Sequence, residues 1–305
     1  MNAISKNMAE PAAESERIHV IFDCDNTFGM PGRPADDGLA LLYLLGKPRA
    51  RLVGLTTTYG NGRVDEVYGN TKAMLKELGR SDIPVLKGAA RGNRRDSEAA
   101  EFLADRANAH KGELSVLATG SLTNLYAAHE IDRSFFDNIK ELVLMGGVTE
   151  ALFLNGVGMD ELNLSLDPEA SYRVLTAGAN ISIMTGNNCL DSYMDHGEYR
   201  DRLMNADNPL GGYIYRKTES WFGKKNELYG LNGFYNWDAT AAVYMLEKAL
   251  FADRAHACDA TRADLERGYL GTGRDPSARS VNLPVVRDAA ALRKELYDSW
   301  LRPHV

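Results

Sequence analysis

Residues 18–45 read IHVIFDCDNTFGMPGRPADDGLALLYLL. The run Ile18–Phe22 is apolar apart from His19, which suits a strand buried on both faces of a parallel sheet. It ends in Asp23-Cys24-Asp25-Asn26-Thr27, crosses a loop containing Gly29, Pro31, Gly32 and Pro34, and re-enters as Asp36-Asp37 ahead of the apolar helix GLALLYLL. Strand, polar loop, helix is the opening unit of an α/β fold.

The same alternation repeats along the chain. Strand-like runs recur at 52–56, 83–86, 114–118, 142–145 and 181–184, each followed by turn residues and then a helical pattern. Between Arg63 and Leu78 the residues Val64, Val67, Thr71, Met74, Leu75 and Leu78 fall at spacings of three and four, and Gly79 follows as a helix stop. After Asn187 the pattern turns helical and aromatic, from Tyr213 to Trp237, until VNLPVV near residue 281. We expect a single α/β domain over residues 18–305 with a mainly parallel central sheet flanked by helices, preceded by a flexible tail, 1–17. The aromatic helices should lean over one end of the sheet.

Composition bounds the function. The 305 residues carry 35 Lys plus Arg against 42 Asp plus Glu, a net charge of −7, which argues against nucleic acid as the main partner. The longest apolar stretch, Leu39–Leu45, is far short of the roughly 20 residues that cross a bilayer. Residues 1–17 are polar and contain no signal-peptide core, and the three cysteines are widely spaced without a CxxC pair. These features lead us to expect a cytoplasmic enzyme.

Ligands of open parallel sheets bind beyond the carboxyl ends of the strands. In this chain those ends are acidic and amide-rich. Asp36 and Asp37 alone have an ordinary explanation as a helix cap and a dipole partner. Two acidic pairs flanking one loop are harder to explain, because unpaired carboxylates repel unless a cation or protons neutralise them. Hard oxygen ligands suit calcium or magnesium. Asn61 in TTTYGNG, and Asn155, Glu161 and Asn163 in NGVGMDELNLSLDPEA, offer amides and a carboxylate suited to a polyhydroxylated ligand such as a sugar.

In this order, the residues resemble the inosine-uridine nucleoside hydrolase family. That family opens with Asp-x-Asp-Pro-Gly-x-Asp-Asp; here DCD and DDGLALL match its two ends, with the longer NTFGMPGRPA between. TTTYGN, ATGSLTN, LVLMGG, ELN followed by DPEA, and NWDA are further matches. The resemblance implies hydrolysis of the N-glycosidic bond of ribonucleosides, an assembly of two or four copies, and one calcium ion held by Asp25, Asp37, the Thr123 carbonyl and Asp238. It also implies that Asp25 deprotonates the attacking water, and that Asp36, Asn61, Asn155, Glu161 and Asn163 hold the ribose hydroxyls. Where many members place a His before the late Asp, this chain has Trp237, as purine-preferring members do. An indole stacked on a purine could assist its departure, so a purine preference is expected, with Trp237 at the base. None of the six histidines falls in a matched motif, and Tyr229 is a weaker candidate for a replacement acid.

GAARGNRRD lacks the loop common in that family after the third strand, and Arg91, Arg94 and Arg95 are read as facing solvent. Two rival readings stay open. VIFDCDNT also fits the Asp-x-Asp-x-Thr opening of haloacid dehalogenase phosphatases, with Asp23 as nucleophile. Alternatively the same fold could bind a nucleoside or sugar without turnover, a reading that the long first loop favours.

Overall fold

A computed structural model describes residues 17–302. Of the expected tail, 1–17, all but Arg17 lies outside the described residues. The first half of the chain alternates as β1 (Ile18–Cys24), α1 (Asp36–Leu45), β2 (Ala50–Thr57), α2 (Val64–Glu77), β3 (Val85–Lys87), α3 (Glu98–Ala109), β4 (Leu114–Ala118), α4 (Thr123–Ile131), the short α5 (Phe135–Asn138) and β5 (Glu141–Met145). A hairpin, β6 (Leu152–Leu154) and β7 (Val157–Met159), precedes α6 (Pro168–Thr176) and β8 (Ile181–Met184). Next come β9 (Tyr193–Asp195), α7 (His196–Met204), the long α8 (Pro209–Tyr229), β10 (Gly233–Tyr235) and α9 (Trp237–Leu246). The chain closes with β11 (Phe251–Ala252), β12 (Ala255–Cys258), α10 (Arg262–Leu265), β13 (Arg279–Asn282), β14 (Val285–Val286) and α11 (Ala289–Trp300).

The central sheet has eight strands in the order β12-β13-β8-β5-β4-β1-β2-β3, parallel except for β12 against β13. All six strands expected from apolar runs are present. The edge strand β12, sequence AHAC, gives no apolar run because its residues are only partly buried. The third strand starts at Val85, later than expected, because Pro84 has no N–H to donate to a ladder. Its carbonyl instead accepts from Leu55 N.

Strand order reverses at β1. From β1 the chain steps outward to β2 and β3, then returns to place β4 on the other side. The crevice between the carboxyl ends of β1 and β4 is therefore the natural ligand position. Two hydrophobic cores cover the sheet, one under α1, α8, α9 and α11, the other under α3, α4 and α6.

The long first loop is built rather than loose. Phe28 is buried and its N–H donates to Asn26 Oδ1; Thr27 Oγ1 donates to the Pro34 carbonyl, and Asn70 Nδ2 donates to the carbonyls of Asn26 and Phe28. Gly38 is required by this packing, since a Cβ there would lie 2.3 Å from the Phe28 side chain.

Helix α1, which carries Asp36 and Asp37, is pinned by α11. Trp300, fully buried, donates its indole N–H to the Leu39 carbonyl at 2.9 Å, and Ser299 Oγ donates to the Tyr43 carbonyl. Truncating a buried tryptophan costs about 3–5 kcal/mol. Urea unfolding of Trp300→Ala should show a loss of that size, with turnover per folded molecule within a few-fold of wild type; a loss below about 1 kcal/mol would mean that α11 does not hold α1.

Candidate active site

The rim of the sheet gathers the acidic residues. Asp25 follows β1, Asn61 follows β2, Thr119 follows β4, Asp36 and Asp37 open α1, and Asp238 is the second residue of α9. Carboxylate oxygens of Asp36, Asp37 and Asp238 lie within 4.8 Å of one another. Asn61 ties Asp25 to this group: its backbone N–H donates to Asp25 Oδ2 at 2.6 Å, and its side-chain amide donates to Asp25 Oδ1 at 2.9 Å and Asp37 Oδ2 at 3.4 Å. Thr119 Oγ1 donates to Asp37 Oδ1 at 2.7 Å. Backbone approaches closely here, and only glycine fits at position 60, where a Cβ would stand 2.0 Å from Asp25 Oδ2.

All four carboxylates are buried. Burial pushes Asp25 up to about 6, opposed by the Asn61 N–H, and Asp36 up to about 7, with the charge of Asp37 adding to the rise. Asp37 is raised by burial and then by Asp25; Asp238 is raised by burial and then by Asp36, Asp37 and Asp25. Asp36 does not cap its helix, and its Oδ1 is buried without a hydrogen-bond partner. A concentration of buried oxygen donors with an unpartnered oxygen fits a hard divalent cation and hydroxyl ligands, and a cation would reverse the mutual repulsion.

Asp36, Asn61, Thr119 and Asp238 line a cleft whose other walls include Glu161, Asn163, Trp221, Lys225 and Trp237. Glu161 is fixed by backbone N–H groups of Gly147, Leu164 and Ser165, and Asn163 donates to the Met145 carbonyl. Trp237, buried as the first residue of α9, packs its ring 5.3 Å from Tyr235.

Two expected site residues fall elsewhere. Thr123 is the first residue of α4, and its hydroxyl donates to Asp167 Oδ2 at 2.9 Å; the threonine beside the carboxylates is Thr119. Both lie in ATGSLTN, and only the tight turn after β4 distinguishes them. Asn155 is exposed at the tip of the β6–β7 hairpin with φ 49°, and its amide donates to the carbonyls of Tyr229 and Gly230. Asn155-Gly156 is a hairpin turn pair, and at this tip it clasps the end of α8.

Arg91 and Arg94 are exposed as expected, but Arg95 lies 3.7 Å from the buried Asp167 and over the Tyr126 ring. The sequence reading also missed Trp221 and Lys225. Their signal was present, since Trp221, Lys225 and Tyr229 recur every four residues and so share one face of α8.

Asp23 sits beneath the cleft. It is fully buried, accepts from Thr56 Oγ1 at 2.5 Å and Asn124 Nδ2 at 2.8 Å, and is pushed by burial up to about 7. Asp23 does not line the cleft, and its Oδ1 is held by Thr56 and Asn124, so it is not placed to attack a phosphate ester there, which argues against the phosphatase reading.

The sequence profile of the inosine-uridine preferring nucleoside hydrolases matches residues 20–293. The chain belongs to this family. As a nucleoside hydrolase it is 28% identical to a probable uridine nucleosidase 2 of Arabidopsis thaliana, over 94% of this chain and 98% of that one. Its fold is shared with a plant nucleoside hydrolase (TM-score 0.82, 24% identity, 94% and 99% covered). It is also shared with a purine-preferring ribonucleoside hydrolase from Gardnerella vaginalis (TM-score 0.80, 22% identity, 93% and 98% covered).

The raised carboxyls make a prediction for this nucleoside hydrolase in chelator. A folded-state pKa above the unfolded value means that the folded state binds more protons, so stability falls as pH rises from about 4 through 7. Asp238→Asn removes one of the charges and should add on the order of 1–2 kcal/mol at pH 7.5, flattening that fall. Equal or lower stability of the variant at that pH, measured by urea unfolding, would show that the carboxylates do not oppose one another.

Proposed function

We propose that this nucleoside hydrolase cleaves ribonucleosides to free base and ribose with calcium, and prefers purines. The observation that carries the reading is a cleft lined by Asp36, Asp238, Asn61 and two indoles, Trp221 and Trp237, with Asp37 beside the two aspartates and Asp25 tied to Asp37 through Asn61. Asp25, Asp37 and Asp238 would hold the ion, with a backbone oxygen of the Thr119 turn in the role expected of Thr123. Calcium bound there would supply the positive charge that grips the ribose 2′ and 3′ hydroxyls and acidifies the attacking water.

Asp25 takes the proton from that water. It is fixed by two hydrogen bonds from Asn61, and so is aimed before substrate arrives. Asp36, with its unpartnered oxygen, accepts from a ribose hydroxyl, and Asn61, Glu161 and Asn163 complete the sugar's contacts. These contacts strengthen as the sugar gains oxocarbenium character.

Removing a general base commonly costs two or more decades of turnover. Asp25→Asn should lose at least about 100-fold in kcat on inosine, and calcium should raise the thermal midpoint of wild type but not of Asp37→Ala. Near-normal turnover in the first variant, or an undiminished calcium response in the second, would overturn these roles.

The base preference rests on Trp237. Stacking on an aromatic is worth roughly 1–3 kcal/mol per base, and about 1.4 kcal/mol is a factor of ten in rate. Inosine should therefore be cleaved about one or two decades more efficiently than uridine, and Trp237→Ala should lower purine turnover more than pyrimidine turnover. The Arabidopsis relative carries a uridine nucleosidase name, so the comparison of inosine with uridine is decisive. Equal or faster cleavage of uridine would refute the stacking argument and leave the sugar and metal roles standing.

A further inference from the structure

Trp237 accepts no proton-transfer role, since its indole N–H is a poor acid, and no histidine lines the cleft. Breaking the C1′–N bond leaves an electron pair on the base nitrogen, and the acidic part of the cleft lining offers carboxylates, amides and the Thr119 hydroxyl, which is already given to Asp37. The aromatic side offers one cation. Lys225, near the C-terminal end of α8, lines the cleft between Trp221 and Tyr229, one turn to either side, with its Nζ 5.5 Å and 5.4 Å from their ring centres.

We propose that Lys225 is the leaving-group acid of this enzyme. The inference rests on the nucleoside hydrolase reading above and goes beyond it. As the C1′–N bond breaks, the ammonium gives a proton to the base nitrogen, which leaves as the neutral base. Water adds its oxygen to C1′ and its proton to Asp25, and solvent exchange returns Asp25 to the carboxylate and Lys225 to the ammonium, so one water is consumed per bond cleaved.

Three features suit Lys225 to this step. Two ring faces hold the ammonium in place by cation–π attraction while leaving its N–H bonds free of a fixed acceptor. Burial lowers its pKa, with Asp36 opposing, which makes it a better acid than a surface lysine. It lines the same cleft as Asp36, Asn61 and Asp238, so an acid and the carboxylate group both border the space a nucleoside would fill. Tyr229, the other candidate on this face, does not line the cleft; its carbonyl is bound by Asn155 and its ring lies against Lys225.

The experiment compares two leaving groups in the calcium-loaded full chain. A base such as hypoxanthine needs a proton to depart, whereas p-nitrophenolate carries its own charge and does not. Lys225→Met should lose about 100-fold or more in kcat/KM on inosine while staying within about threefold of wild type on p-nitrophenyl β-D-riboside. A parallel loss on both substrates would assign Lys225 to folding or to placing Asp36, and no loss on inosine would deny it any role; either overturns the proposal. Lys225→Gln, which keeps length and polarity without a transferable charge, repeats the test should the methionine variant fold poorly. Wild-type protein that cleaves neither substrate would instead overturn the hydrolase reading itself.

Discussion

Four buried carboxylates dominate this molecule: Asp36, Asp37 and Asp238 lie within 4.8 Å of one another, and Asn61 ties Asp25 to them. Taking each from water costs free energy, and each opposes its neighbours, so the apoprotein carries a built-in penalty at the rim of its sheet. Neighbouring structure limits that penalty without removing it. Asn61 spans Asp25 and Asp37, Thr119 donates to Asp37, and Gly60 leaves space for the Asp25 carboxylate. The core face of α1 and the indole of Trp300 keep Asp36 and Asp37 from moving apart. A cation would turn the same arrangement from repulsive to attractive.

The other half of the cleft is built on a different principle. Trp221 and Trp237, which line it, are carried by α8 and the start of α9, with Phe234 and Tyr235 of β10 packed against their rings, all outside the parallel sheet. Their apolar faces exclude water from the point where charge develops, which strengthens every electrostatic contact there. The ammonium of Lys225, held over the Trp221 ring, lines the same cleft as Asp36 and Asp238.

The sheet was readable because parallel strands buried on both faces give mostly apolar runs, as β1, β4 and β5 do with one or two polar residues each. The acidic residues were readable because a strand end and a helix start are fixed points in such a fold. The distinction between Thr119 and Thr123 was not, since both are threonines in one short segment and their separation depends on how the turn after β4 folds. Asn155 misled for a related reason: an asparagine before a glycine suits a ligand loop and a hairpin tip equally well, and here the φ of 49° and the Gly156 partner make it a hairpin tip. Lys225 lies in a helix whose partner face only tertiary packing reveals. The long first loop weakened the match between Asp25 and Asp36 in sequence, yet in three dimensions it folds back on Phe28 and Asn70 and returns both to one place.

The displaced threonine still serves the site, one layer out. Thr123 donates to Asp167, which also accepts from Ala170 N as the cap of α6 and faces Arg95. Tyr59, two residues before Asn61, shares a hydrogen bond with the Thr123 hydroxyl and donates to the Leu166 carbonyl. Through these contacts the start of α4, the start of α6 and the turn after β2 are locked together. The turn after β2 delivers Asn61 to Asp25, and the turn between β4 and α4 delivers Thr119 to Asp37. Asp167, through Thr123, and Tyr59, through Thr123 and Leu166, thus brace the two turns that position the hydrogen-bond donors of the acidic cluster.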